Sequence, residues 1–148
     1  MLKNGELLTM AGSHYVLVEF MINMGYSDIF RAVRNLLARN YWPILAHAER
    51  YPAVRDSDRL EELIDMGAYI QLNYRSIDGS WFNDTARWCR RQLRHGNVHF
   101  LGTDMHNTGS RSPEVLPAEK WMEGHLDPEY VKELFWENPL RILEDARI

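Results

Sequence analysis

The chain has 148 residues, 45% hydrophobic and 26% charged, enough for a single domain (1–148) with its own core. A net charge of −4 argues against broad attraction to nucleic acid, and no apolar run of about 18 residues offers a direct membrane insertion. The one cysteine, Cys89, excludes an intramolecular disulfide and fits a reducing cytoplasm, and "MLKNGELLTM" lacks the apolar core of a signal peptide.

In chain order, residues 4–12 are rich in turn formers with short apolar stretches and read as a hairpin. "HYVLVEF" (14–20) is a first buried strand. Ser27 is placed to cap a helix whose apolar Phe30, Val33 and Leu37 recur at helical spacing up to Asn40. "WPILAH" (42–47) is a second strand. Ser57 caps a helix carrying Leu60, Leu63 and Ile64, and Gly67 suits its end. "AYIQLN" (68–73) is a third strand and "SIDGS" a turn. A helix runs from about Trp81 to His95, stopped by Gly96; its basic "RWCRRQLRH" reads as a solvated face. "VHFLGTD" (98–104) is a fourth strand. The stretch Thr108–Pro117 is the longest irregular one. Asp127-Pro128 caps and opens a helix through "EYVKELFWEN", and Pro139 opens a last short one. Short apolar strands alternating with helices predict an α/β fold with about four parallel strands.

Each strand ends in polar groups. In barrels of alternating strand and helix, loops at the C-terminal strand ends converge around one mouth, where chemistry sits. Glu19, His47, Asn73, Asp104 and His106 would face that mouth. Asp104 and His106 are two apart, hence on one face if the strand geometry persists. Carboxylate and imidazole are good ligands for Zn, Mn or Fe, and Glu19 and His47 can complete such a set. The alternative for Asp104 is to orient His106 from behind.

Arg50 follows His47 closely, and Arg111 follows His106. Guanidinium grips phosphate with a two-pronged fork, so arginines beside metal ligands suggest a phosphorylated substrate. The alternative is a surface salt bridge, such as Arg50 with Glu49. His14, His95, His99 and His125 lie elsewhere and read as structural or solvated. A thiol phosphatase needs an arginine six residues after its cysteine; after Cys89 that place holds His95. No nucleophile elbow, P-loop or dinucleotide fingerprint is present.

"YVLVEF", "PILAHAERYP", "GAYIQLNYRSIDG", "HFLGTDMHNTGSRSP" and "ENPLRIL" follow one another in an order that resembles the later part of a known family. These are the bacterial protein-tyrosine phosphatases of the PHP (polymerase and histidinol phosphatase) superfamily, manganese-dependent and associated with capsule and exopolysaccharide synthesis. The resemblance implies a distorted TIM-like α/β barrel, here partial and open, around a divalent metal cluster. Manganese is the metal implied, with Fe, Co or Zn as alternatives. It implies Glu19, His47, Asp104 and His106 as metal ligands, Arg50 and Arg111 as catalytic phosphate-holding residues, and Asn107 on the substrate beside them. The implied reaction is hydrolysis of phosphotyrosine on a protein, in particular a tyrosine autokinase.

The family's Asp-x-His-x-His strand is not found, so an incomplete metal cluster is expected, the chain opening just before the family's fourth strand. Four strands cannot close a barrel that needs about eight. Exposed edges are therefore expected to drive self-association, most simply as a homodimer. Two other readings stay open: a catalytically inactive fragment acting as a binding module, and a hydrolase of another phosphoester.

Overall fold

The structure, a computed structural model, describes residues 8–56, 58–80, 82–104 and 115–148. Strands β1 (Tyr15–Val18), β2 (Trp42–Leu45), β3 (Tyr69–Asn73) and β4 (Phe100–Gly102) form one parallel sheet in the order β1-β2-β3-β4. A parallel neighbour requires a crossover, and helices supply each one. Helix α1 (Tyr26–Leu37) links β1 to β2; α2 (Pro52–Arg55) and α3 (Arg59–Met66) lie between β2 and β3; α4 (Tyr74–Ile77) and α5 (Asp84–Arg94) lie between β3 and β4. Beyond β4 come α6 (Leu116–His125), α7 (Pro128–Lys132), a π-helical turn Glu133–Glu137, and α8 (Asn138–Leu143).

Three crossovers return to the sheet through the same helix ending. Asn40, Gly67 and Gly96 take φ of 61°, 113° and 73°, and the following N–H closes on a carbonyl five residues back. Such left-handed caps satisfy the last helical carbonyls and turn the chain sharply into the next strand.

Alternation along the strands separates two layers. One side packs Leu45, Ile70 and Leu72 against Ile29 and Val33 of α1, Leu60 and Leu63 of α3, and Leu93 of α5. On the other side the N-terminal halves of the strands carry an aromatic layer, Tyr15, Trp42, Tyr69 and Phe100, with Ile44 and with Ile142 of α8. The C-terminal segment closes beneath it. Tyr15 donates its hydroxyl proton to the Ala146 carbonyl at 2.8 Å, and His14 meets the Asp145 carboxylate at 2.8 Å. Further up the same side, apolar residues give way to Gln71 and Asn73 of β3 and Gly102 of β4. The side chains thus grade from aromatic at the N-terminal ends to polar at the C-terminal ends. The outer edges of β1 and β4 have no strand partner among the described residues, and Leu17 of β1 is 51% exposed.

The elements differ from the sequence expectation where side chains replace backbone partners. Strand β4 starts at Phe100; just before it, Val98 is held by a side chain, while the His99 N–H still donates to the Ile70 carbonyl of β3 at 2.9 Å. Tyr130 Oη accepts from Val98 N–H at 3.2 Å and donates to its carbonyl at 2.7 Å. His99 Nδ1 accepts from Ile70 N–H at 3.1 Å. Strand β1 stops at Val18, and Phe20 N–H donates instead to the Tyr51 hydroxyl at 3.0 Å. Residues Met10–Gly12 form a 3₁₀ turn rather than half of a hairpin. Gly25, not Ser27, occupies the N-cap of α1, and Asn83 caps α5 by accepting from Thr85 and Ala86 N–H. The turn expected at "SIDGS" begins only after Ile77. Pro117 lies in the first turn of α6, a helix the sequence reading did not anticipate. Ser57, Trp81 and residues 108–114 lie outside the described residues.

Candidate functional site

The C-terminal strand ends place the candidate residues on one rim. Glu19 follows β1, His47 follows β2, Asn73 ends β3, and Asp104 follows β4. His47 and Asp104 both take left-handed backbone conformations, with φ of 44° and 50°. The chain therefore turns sharply at each, and His, Asp and Asn tolerate that turn better than most residues.

His47 Nε2 lies 3.4 Å from Glu19 Oε1. The imidazole is buried, whereas the Glu19 side chain is 66% exposed. Behind the ring stands a set of buried amides. The His47 N–H donates to Gln71 Oε1 at 2.9 Å. Gln71 Nε2 donates to the Leu72 carbonyl at 3.1 Å and to Asn73 Oδ1 at 3.2 Å. The same Asn73 Oδ1 lies 3.4 Å from His47 Nδ1.

The 3₁₀ turn Ala48–Arg50 directs two further charges in opposite directions. Arg50 reaches across the rim and pairs with the Asp104 carboxylate. Glu49 points inward and is only 2% exposed. Its Oε1 accepts from Ser76 Oγ at 2.7 Å and from Asn73 N–H at 3.3 Å. Its Oε2 has no hydrogen-bond partner among the described residues, and burial raises the carboxyl above the usual carboxylate range. The surface pair of Arg50 with Glu49 weighed from the sequence is thus replaced by Arg50 with Asp104.

Glu19 and His47 meet, and Asp104 is joined to the same rim through Arg50. Among the described residues, no three His, Cys, Asp or Glu side chains gather into a complete ligand set. His106, Asn107 and Arg111 lie outside the described residues. Carboxylate oxygen with imidazole nitrogen suits Mn, Fe or Zn, and a neighbouring guanidinium suits a phosphate.

The remaining titratable candidates have other roles. Burial holds the Cys89 thiol far above its ordinary range, which removes it as a nucleophile. His14 stacks on Trp42 and pairs with Asp145. His99 completes the β3–β4 boundary, and His125 Nδ1 faces the Trp121 carbonyl at 2.7 Å. Arg90 donates to the Ile77 and Gly79 carbonyls, and Arg94 stands over Trp121, so the basic stretch is partly a packing device. Sequence reading missed Gln71, Glu49 and Ser76. The signal for Gln71 was available: it alternates with Asn73 in an otherwise apolar strand.

A family model described as capsular polysaccharide synthesis, CpsB/CapC, matches residues 1–144. The tyrosine-protein phosphatase CpsB of Streptococcus pneumoniae is 33% identical over 153 aligned positions, which cover 99% of this chain. The tyrosine-protein phosphatase YwqE of Bacillus subtilis (strain 168) is 25% identical over 144 positions, covering 97% of this chain. The chain spans 63% of the length of the first relative and 54% of the second. A solved structure from work on YwqE of Bacillus subtilis and CpsB of Streptococcus pneumoniae, described as unique metal-dependent tyrosine phosphatases, superposes with a TM-score of 0.84. That superposition has 25% identity and covers 96% of this chain and 57% of that one.

Proposed function

This chain belongs to the CpsB/CapC family of capsular polysaccharide synthesis, and from that premise we propose that it hydrolyses phosphotyrosine on proteins with a divalent metal. The observation that carries the reading is the rim itself: Glu19 against His47, and Arg50 anchored on Asp104. The donor chemistry fits a divalent transition metal. Glu19, His47 and Asp104 would hold it, with His106 as the further ligand that the resemblance implies. When bound, such a metal supplies the Lewis acidity that makes water a nucleophile near neutral pH.

The chain's own residues then do the positioning. Arg50 presents its fork to a phosphate while Asp104 restrains it, and Arg111 and Asn107 take the same role from the following segment. The manganese of the resembled phosphatases is the metal we assign, with Fe, Co or Zn as substitutes. The substrate would be the phosphotyrosine tail of a bacterial tyrosine autokinase. A reduced cysteine and the lack, among the described residues, of a helix long and apolar enough to cross a membrane support a cytoplasmic setting for this reaction. The open edges of the sheet support self-association as a homodimer.

The test is hydrolysis of a phosphotyrosine peptide by the purified chain with and without added manganese, beside a sugar phosphate and histidinol phosphate. Manganese-dependent turnover of the peptide alone is expected. Preference for another phosphoester reassigns the substrate. Metal binding without any turnover leaves a binding module.

A further inference from the structure

The imidazole of His47 can carry its proton on either ring nitrogen, and only the bare nitrogen can bind a metal. The residues behind the ring decide which. Gln71 receives the His47 N–H on Oε1, at 2.9 Å, and so must turn its Nε2 the other way. That amide nitrogen donates at 3.2 Å to Asn73 Oδ1, which fixes the Asn73 side chain with its oxygen, not its nitrogen, toward the ring. At 3.4 Å from Asn73 Oδ1, His47 Nδ1 faces an acceptor and is the nitrogen that must hold the proton. Two donors therefore converge on Asn73 Oδ1, the Gln71 amide that the His47 backbone N–H orients and the Nδ1–H of the His47 ring.

Glu19 pulls the other way, since a carboxylate 3.4 Å from Nε2 favours a proton there. Burial decides between them. Asn73 is 4% exposed, so a lone pair set against its oxygen would go uncompensated, whereas Glu19 is open to water. Gly102, paired with Asn73 across β3 and β4, makes the arrangement possible: a Cβ at that position would overlap Gln71 Nε2.

We infer that Gln71 and Asn73 are positioning residues that hold His47 as its Nδ1–H tautomer, presenting Nε2 to the metal, and that Gly102 leaves the space in which Gln71 does so. The inference rests on the metal-dependent reading above and specifies the atom through which His47 serves it.

The test reads the ring directly in the metal-free full chain. Long-range proton–nitrogen correlation spectra, recorded well above the ordinary histidine range of about 6.5, distinguish the two tautomers. Wild type should show Nδ1 protonated and Nε2 bare. Asn73→Leu should shift the population toward Nε2–H, and Asn73→Asp should retain the wild-type pattern. Gln71→Glu removes the donor that orients Asn73 and should also shift it; circular dichroism verifies that each variant is folded. Glu19→Gln should leave the tautomer unchanged. Zinc titration should then weaken about 10–100-fold in the tautomer-shifted variants. Nε2–H in wild type, or an unchanged tautomer in folded Asn73→Leu and Gln71→Glu, overturns the inference. A bare Nε2 in a chain that takes up neither zinc nor manganese overturns the metal-dependent reading instead.

Discussion

The guanidinium of Arg50 is paired with the carboxylate of Asp104, tying the turn after β2 to the end of β4 across β3. A single ion pair thus spans three strands' worth of the rim and holds in place the two charges of greatest chemical interest. Asp104 is mostly buried while Arg50 is 43% exposed, so the arginine is the partner with freedom to meet a ligand.

Arg50→Ala should lower kcat/KM on a phosphotyrosine peptide by about 10–100-fold, the worth of a charge-assisted contact of roughly 1.5–3 kcal/mol. Metal content, measured by atomic emission on protein purified without chelator, should stay unchanged, and Arg111→Ala should behave alike. Loss of metal would mean that the arginine serves the ligands rather than the phosphate.

His99 makes the fold sensitive to acid. Burial lowers it to about 4, below the ordinary histidine range. The unfolded chain therefore binds the proton more readily, so stability is full above about pH 6.5 and falls as the pH drops toward about 4. The loss should approach about 2–3 kcal/mol over that window. His99→Asn keeps an acceptor for the Ile70 amide and should flatten the dependence, as urea titrations at a series of pH values would reveal.

Tyr130→Phe should be costly for so small a change. It strips both backbone partners from Val98, a residue 1% exposed. Leaving a buried donor or acceptor unsatisfied costs about 1–3 kcal/mol, and thermal unfolding should register it. A drop of only a few tenths would mean that water reaches Val98.

Self-association is expected from the edge of β1, which has no strand partner among the described residues and where Leu17 is 51% exposed; Met21 and Ile22, in the segment that follows the strand, are 68% and 62% exposed. Sedimentation should give a dimer rather than a 17.5 kDa monomer. Leu17→Lys places a charge on the edge and should favour the monomer. A wild-type chain that stays monomeric would show that the exposed edge is tolerated as it stands.

Much of this was legible in the sequence, for identifiable reasons. Apolar runs such as "PILA" and "YIQL" announced the strands because both faces of a parallel sheet are covered. Their ends were harder to place, since Tyr51, His99 and Tyr130 act on the backbone from distant parts of the chain. Helix α6 was missed because "LPAEKWMEGH" buries only Ala118 and Met122, too few to print a period. At the site, Glu19, His47 and Asp104 were read from their position at strand ends. Glu49 was not, because a carboxylate beside an arginine suggests a surface pair, and its inward direction depends on the left-handed turn at His47. The role of Gly102 is written nowhere locally, as it depends on a side chain one strand away.

The left-handed backbone at His47 and Asp104 sets stability and chemistry against each other. Glycine adopts that geometry without the penalty of roughly 1–2 kcal/mol that a side chain incurs. His and Asp tolerate the geometry better than most residues, but the backbone alone would favour glycine over either at these corners. A directed-evolution campaign that selected only for heat tolerance would therefore be under pressure to erode these two corners, and enzymologists should assay its survivors for catalysis before trusting their melting curves.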